Sequence, residues 1–261
     1  TDKLQTLVLI NATKNHFNFL HPAVFVNLRV LKISPQNLGN EVVELLCFNS
    51  RLEQLYIIQN SYTERAIPVD AKSWENVGKK FSVFLRTVGK LDREIIWQEK
   101  SPVISLLYDC PKTRVSWSSV LTTVEYYSYT LKEYGHLGLP KFTGSRKFDD
   151  RADAKILLLC RKCPYITTLI VRERISTSTA MLIAGMTPNL KYFHVRANAL
   201  IKRCDYMLHD LDLDHNFTMW VKLHSRSYER MTGEIAKILD YDWKPLTDNQ
   251  FKIFSKSRVA Y

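Results

Sequence analysis

The chain has 261 residues, 46% of them hydrophobic, and a net charge of +11 at neutral pH. That apolar share is ordinary for a folded protein. No run approaches the ~18 apolar residues of a membrane span, and no secretory signal opens the chain.

Taken in order, the first elements repeat. Leu4, Leu7 and Leu9 are followed by Leu28, Leu31 and Ile33, then by Leu52, Leu55, Ile57 and Asn60, with starts 24 residues apart. The sentence returns as Ile166, Leu169, Val171 and Arg174, and again 24 residues later as Leu190, Phe193, Val195 and Asn198. The pattern L-x-x-L-x-L-x-x-N at this period is the signature of a leucine-rich repeat. Its L-x-L centre is a short strand with inward apolar residues, and a terminal asparagine can bond backbone where the chain leaves the strand. A single unit cannot bury its apolar face, so neighbours must stack. Parallel strands are expected near 7–10, 31–34, 55–58, 169–172 and 193–196. Thr1 falls a few residues before the first of them, so the chain is expected to be cut from something larger.

Val42, Val43, Leu45 and Leu46 suit a short helical return. After Asn60 the period fails. Ser73–Lys80 reads as a helix capped by Ser73, Phe81–Val88 as a strand, and residues 101–110 as another. Ser116–Gly135 is long enough for a full helix, with Val120, Val124, Tyr127 and Leu131 on one side. Gly138–Asp150, with Pro140 and Gly144, reads as an inserted loop. Arg151–Lys162 is a helix ended by Pro164. Ser176–Met186 is a helical return whose serines and threonines suit capping better than phosphorylation. Residues 205–222 alternate, and Ser227–Asp240 is an amphipathic helix.

The expected fold is thus α/β: one domain over 1–261, a leucine-rich-repeat solenoid with a curved parallel sheet and helical returns. Its repeats are regular over 1–60 and 164–198 and irregular over 61–163. The segment 199–261 caps the open end.

The sequence carries little recognisable catalytic or metal-binding chemistry. There is no P-loop, G-x-G-x-x-G, H-E-x-x-H or G-x-S-x-G. Cys160 and Cys163 form a C-x-x-C without a second ligand pair, which reads as a helix end with a buried thiol. Five cysteines at irregular spacing suit reduced thiols in the cytoplasm or nucleus better than a disulfide framework. His209, Asp210, Asp212, Asp214 and His215 have the spacing of a calcium loop but lack its glycine and its closing glutamate. No catalytic residue, cofactor or metal is expected.

What the pattern does offer is a surface. Alternate strand positions face away from the core, and here they mix aromatic, aliphatic and basic side chains. The candidate partner-binding residues are Tyr56, Ile58, Arg172, Tyr192, His194 and Arg196. Arg172 and Arg196 hold the same motif position on neighbouring strands, where two guanidiniums can grip a carboxylate or phosphate. His194 would weaken binding as pH rises through ~6.5 if its charged form contacts the partner. The competing expectation is that the tail folds over this face and buries it.

The five repeat copies resemble the leucine-rich-repeat regions of F-box proteins, the substrate receptors of Skp1–cullin–F-box ubiquitin ligases. Ser101-Pro-Val-Ile-Ser, the Val124-Glu-Tyr-Tyr helix with Tyr134-Gly-His-Leu-Gly-Leu-Pro, and Leu157-Leu-Leu-Cys-Arg-Lys-Cys-Pro are similar to the F-box only proteins with degenerate repeats. The resemblance implies a non-catalytic module that holds a protein substrate on its concave face, near a charged ubiquitin-conjugating enzyme. Skp1 and cullin would be reached only through an upstream F-box, which this chain lacks. The alternative is a basic repeat scaffold that binds nucleic acid or an acidic protein partner; the excess positive charge is heaviest after residue 150.

Overall fold

The computed structural model describes residues 3–21, 24–48, 51–140, 147–205 and 213–259. It is an α/β structure built on eight parallel strands that do not close into a barrel. They are β1 (Thr6–Leu9), β2 (Val30–Ile33), β3 (Gln54–Gln59), β4 (Ser82–Val88), β5 (Val103–Asp109), β6 (Glu133–His136), β7 (Thr168–Val171) and, after the two-residue β8 (Ile175–Ser176), β9 (Tyr192–Val195). The sheet order follows the chain, with β8 set aside to pair with β10 (Leu200–Ile201).

The strands expected from the repeat are present and in phase. Leu7 pairs with Leu31 and Leu31 with Leu55, while Leu169 pairs with Phe193. A constant spacing places the same motif position side by side, so leucines stack on leucines; β2 and β3 bury that face, while Leu7 and Leu9 of β1, with a neighbour on one side only, are half-buried. Leu31, Leu55 and Leu169 are fully buried. Beyond Asn60 the spacing changes but the ladder continues: Gln54 pairs with Ser82 and Leu55 with Val83. An irregularity after Val83 then sets Phe84 opposite Ser105. Asn60 performs the role expected of the closing asparagine, donating to the Asn11 carbonyl at 2.8 Å and accepting from the Tyr62 N–H at 2.9 Å.

The chain divides into two compact units. The first holds residues 1–113 and 125–133, the second 114–124 and 134–261. In the first, α1 (Asn40–Phe48) buries Val42, Val43 and Leu46, as the return helix should. The helix α2 spans Ala71–Glu75 and places Ser73 inside it, with Asp70 at the cap position. Ser73 is therefore not its cap. Trp74, fully buried, donates to Gln98 Oε1 at 3.1 Å, and the Gln98 N–H donates to the Tyr127 hydroxyl at 3.0 Å.

The helix expected over Ser116–Gly135 ends early. α3 covers Trp117–Tyr127, and Glu133–His136 is a strand. Gly135 explains the change: a Cβ there would lie 2.5 Å from Ile170 Cβ. The glycine serves close strand contact, not a helix end.

In the second unit, α4 (Asp153–Lys162) and α5 (Thr177–Met186) follow the expected helices closely. Ser176 caps α5 by accepting from the Thr179 N–H at 3.1 Å, and Ser176 to Thr179 are all fully buried, out of reach of a kinase. Residues 215–224 do not alternate; they form α6 (His215–His224), capped by Asp214. α7 (Tyr228–Leu239) starts at the Ser227 cap as expected, and α8 (Asp248–Val259) closes the chain.

Candidate functional site

In the first unit the outward positions of β2, β3 and β4 assemble an aromatic stripe with cations on it. Registered pairing puts Lys32 beside Tyr56 and Tyr56 beside Phe84. The Tyr56 and Phe84 rings stack with centroids 4.3 Å apart and planes 14° from parallel. Lys32 Nζ lies 5.5 Å from the Tyr56 centroid, and the Arg86 guanidinium lies 5.7 Å from Tyr56 and 5.6 Å from Phe84. Both cations are held by the negative ring faces. Arg86 also pairs with Glu133 at 3.4 Å, and Glu133 accepts from the Ser105 hydroxyl. Half-burial, and Glu133 nearby, push the Tyr56 phenol above its ordinary pKa, against the lowering effect of Arg86. Val8 on β1 remains 47% exposed beside β2. The stripe can thus offer apolar edge and charge together to a bound molecule.

Of the six expected contact residues, Tyr56 belongs to this stripe. Its neighbour Ile58 is 1% exposed and is an interior residue. The C-terminal four do not form an open patch, because α8 lies on His194 and Arg196 and Arg172 is buried. Arg196 makes two bonds to the Asp248 carboxylate, at 2.7 and 2.8 Å. His194 meets the Phe254 ring at 4.1 Å, and Ser255 donates to the Leu137 carbonyl at 3.0 Å. Arg172 is 1% exposed and bonds Glu173 at 3.3 Å. Tyr192 alone of the four is well exposed. The expected Arg172–Arg196 grip is corrected accordingly: both guanidiniums are spent on internal carboxylates. β7 (Thr-Leu-Ile-Val) is buried on both faces, as a parallel strand with cover on each side should be.

The Arg196 bonds hold the Asp248 carboxyl below its ordinary value near 3.8. A depressed carboxylate contributes stability that is complete above the unfolded-state pKa and is lost as pH falls through the folded one. Acid titration below about pH 4 should therefore loosen α8 earlier in the wild type than pH-independent packing predicts. An Asp248→Asn variant should lack that step in its circular-dichroism melting profile; an identical profile would exclude the pair as the cause.

The acidic cluster lies in part outside the described residues, with His209, Asp210 and Asp212; Asp214 is the α6 cap and His215 its first residue. Cys160 and Cys163 are buried free thiols, each pushed up to about 12 chiefly by burial. Among the described residues no group of three or more His, Cys, Asp or Glu is placed to hold a metal, and no helix is long and apolar enough to cross a membrane.

Phe84, Arg86 and Glu133 were not singled out by the repeat. The signal was present in Ser82-Val-Phe-Leu-Arg-Thr-Val, whose period of two sends Phe84 and Arg86 outward together. In comparisons with known proteins, no family model matches the chain and no curated protein matches it.

Proposed function

We propose that this chain is a non-catalytic, leucine-rich-repeat protein-binding module that recruits a substrate to a Skp1–cullin–F-box ubiquitin ligase. The observation that carries the binding part is the stripe of Lys32, Tyr56, Phe84 and Arg86 on an ordered parallel sheet. Aromatic and arginine side chains fixed on rigid strands are the types that dominate binding energy, since little entropy is lost when they are engaged. The ligase part rests on the sequence resemblance, and the in-phase parallel strands support the repeat reading. Holding a substrate near a charged conjugating enzyme raises its effective concentration and requires no catalytic residue here.

Nucleic acid is the weaker reading for this surface. Tyr56 is flanked by Lys32 on one strand and stacked on Phe84 on the other, so an unpaired base would have to displace one of them before it could stack.

The test is co-precipitation of the protein, tagged at its own locus, from proteasome-inhibited cells, comparing wild type with Tyr56→Ala/Arg86→Ala. Skp1 should be recovered equally with both. Ubiquitin-conjugated partners should fall by about 30-fold with the double variant, the equivalent of a 2 kcal/mol hot spot. Absence of Skp1 from both would defeat the ligase reading. Unchanged conjugate recovery would defeat this face as the receptor, and salt-sensitive RNA or DNA in its place would favour the basic-scaffold reading.

A further inference from the structure

The helix α4 begins without a side-chain cap. Ala152 stands at its cap position and has no acceptor to give, so the N–H groups of the first turn, at the positive end of the helix, want one from elsewhere. A cavity of 210 Å³ opens at this end, lined by Ala152, Arg114, Arg151, Lys155 and Arg174, with Asp149, Asp150 and Glu173 also on its wall.

Arg151 supplies an independent sign. Its side chain is 0% exposed; Nε is taken by Asp153 at 2.8 Å and Nη2 by Asp205. Its Nη1 is buried and has no hydrogen-bond partner. Lys155 donates to the Arg151 carbonyl at 3.1 Å and lies 5.8 Å from the Trp117 ring centroid. Among the described residues, neither Lys155 nor Arg114 has a carboxylate at ion-pair distance. The three acids do not fill that role: Glu173 is engaged by Arg172, and Asp149 and Asp150 are exposed and make no ion pair among the described residues. Lys155 and Arg114 thus share the cavity wall with three carboxylates and pair with none of them.

We propose that this cavity is a site for a tetrahedral oxyanion: a phosphate, either free or carried on a partner's phosphoserine or phosphothreonine. A phosphate brings several strong acceptor oxygens, which match the uncapped helix end, the unused Arg151 nitrogen and the two unneutralised cations at once. Only the partner-borne form rests on the protein-binding reading above; the oxyanion site itself does not.

The experiment titrates the full chain, in chloride buffer, with inorganic phosphate and separately with O-phospho-L-threonine, reading the phosphorus NMR shift and line width. Saturable binding is expected. Arg114→Gln/Lys155→Gln should weaken it at least about tenfold with an unchanged melting temperature. Lys191→Gln/Lys222→Gln, which removes the same charge from two exposed lysines outside the cavity, should leave it as in the wild type. Ala152→Asp would put a carboxylate at the cavity wall beside the helix end, and it should abolish binding by repelling the anion. Tighter binding of phosphothreonine than of inorganic phosphate assigns the site to a partner-borne group; equal binding assigns it to the free ion and removes the partner-borne form. No saturable binding by the wild type, or equal losses in the control pair, overturns the site, whatever the fate of the Tyr56 and Arg86 variants.

Discussion

Replacing Asp153 with alanine should destabilise the second unit by about 3–5 kcal/mol, the range for removing one partner from a buried ion pair. The carboxylate is 0% exposed and serves three groups at once. It accepts from Arg151 Nε at 2.8 Å, from the Ser176 N–H at 2.8 Å and from the Thr179 hydroxyl. Truncation would leave a buried guanidinium relying on Asp205, and a buried N–H at the start of α5 with no acceptor. The penalty is desolvation without compensation, and it greatly exceeds what the pair adds over an apolar substitute. Asp153→Asn keeps the shape and one acceptor, so it should fall between the alanine variant and the wild type. Denaturant titration followed by circular dichroism gives the numbers. A loss under about 1 kcal/mol, no more than an ordinary exposed pair is worth, would show that the network is not holding α4 to α5.

Trp243→Ala should cost a similar ~3–5 kcal/mol, by a different route. The indole is 1% exposed, stacks on Phe193 with centroids 5.7 Å apart and donates to the Phe193 carbonyl at 2.6 Å. It anchors the segment before α8 along the last strand. The Leu246 N–H donates to the Val195 carbonyl at 2.8 Å and the Ala197 N–H to the Leu246 carbonyl at 2.7 Å. Without the anchor, β9 would present a row of unpaired backbone groups, which invites edge-to-edge association. The variant should therefore both unfold earlier and elute partly as larger species on size exclusion. Full stability with a monomeric profile would mean that the edge is protected by something other than this segment.

The regular part of the fold was open to reading because strand geometry has a short period and the repeat a constant one. Leu7, Leu31 and Leu55 recur at one interval, and stacked parallel strands set them side by side, burying Leu31 and Leu55 fully and Leu7 in part. Local chemistry was equally legible where one residue decides it: Asn60 turning the chain, Ser176 and Ser227 starting helices. Local pattern does not decide the structure where the determining contact lies far along the chain. The local pattern carries a helix on through Gly135, but that glycine answers to Ile170, dozens of residues later.

The sequence alone determined the direction, order and phase of the repeat strands, since alternation assigns each side chain to one face of a sheet. It also placed Tyr56 outward, and that residue became part of the candidate site. Only the tertiary structure decided which outward positions remain open. Arg172 and Arg196 occupy equivalent places in the motif and carry the same charge as Arg86, yet Glu173 and α8 cover them, while Arg86, though paired with Glu133, keeps its place over the Tyr56 and Phe84 rings. Nothing in the local pattern distinguishes these arginines, because a strand's periodicity says which face a side chain takes and is silent about what later segment comes to lie on it.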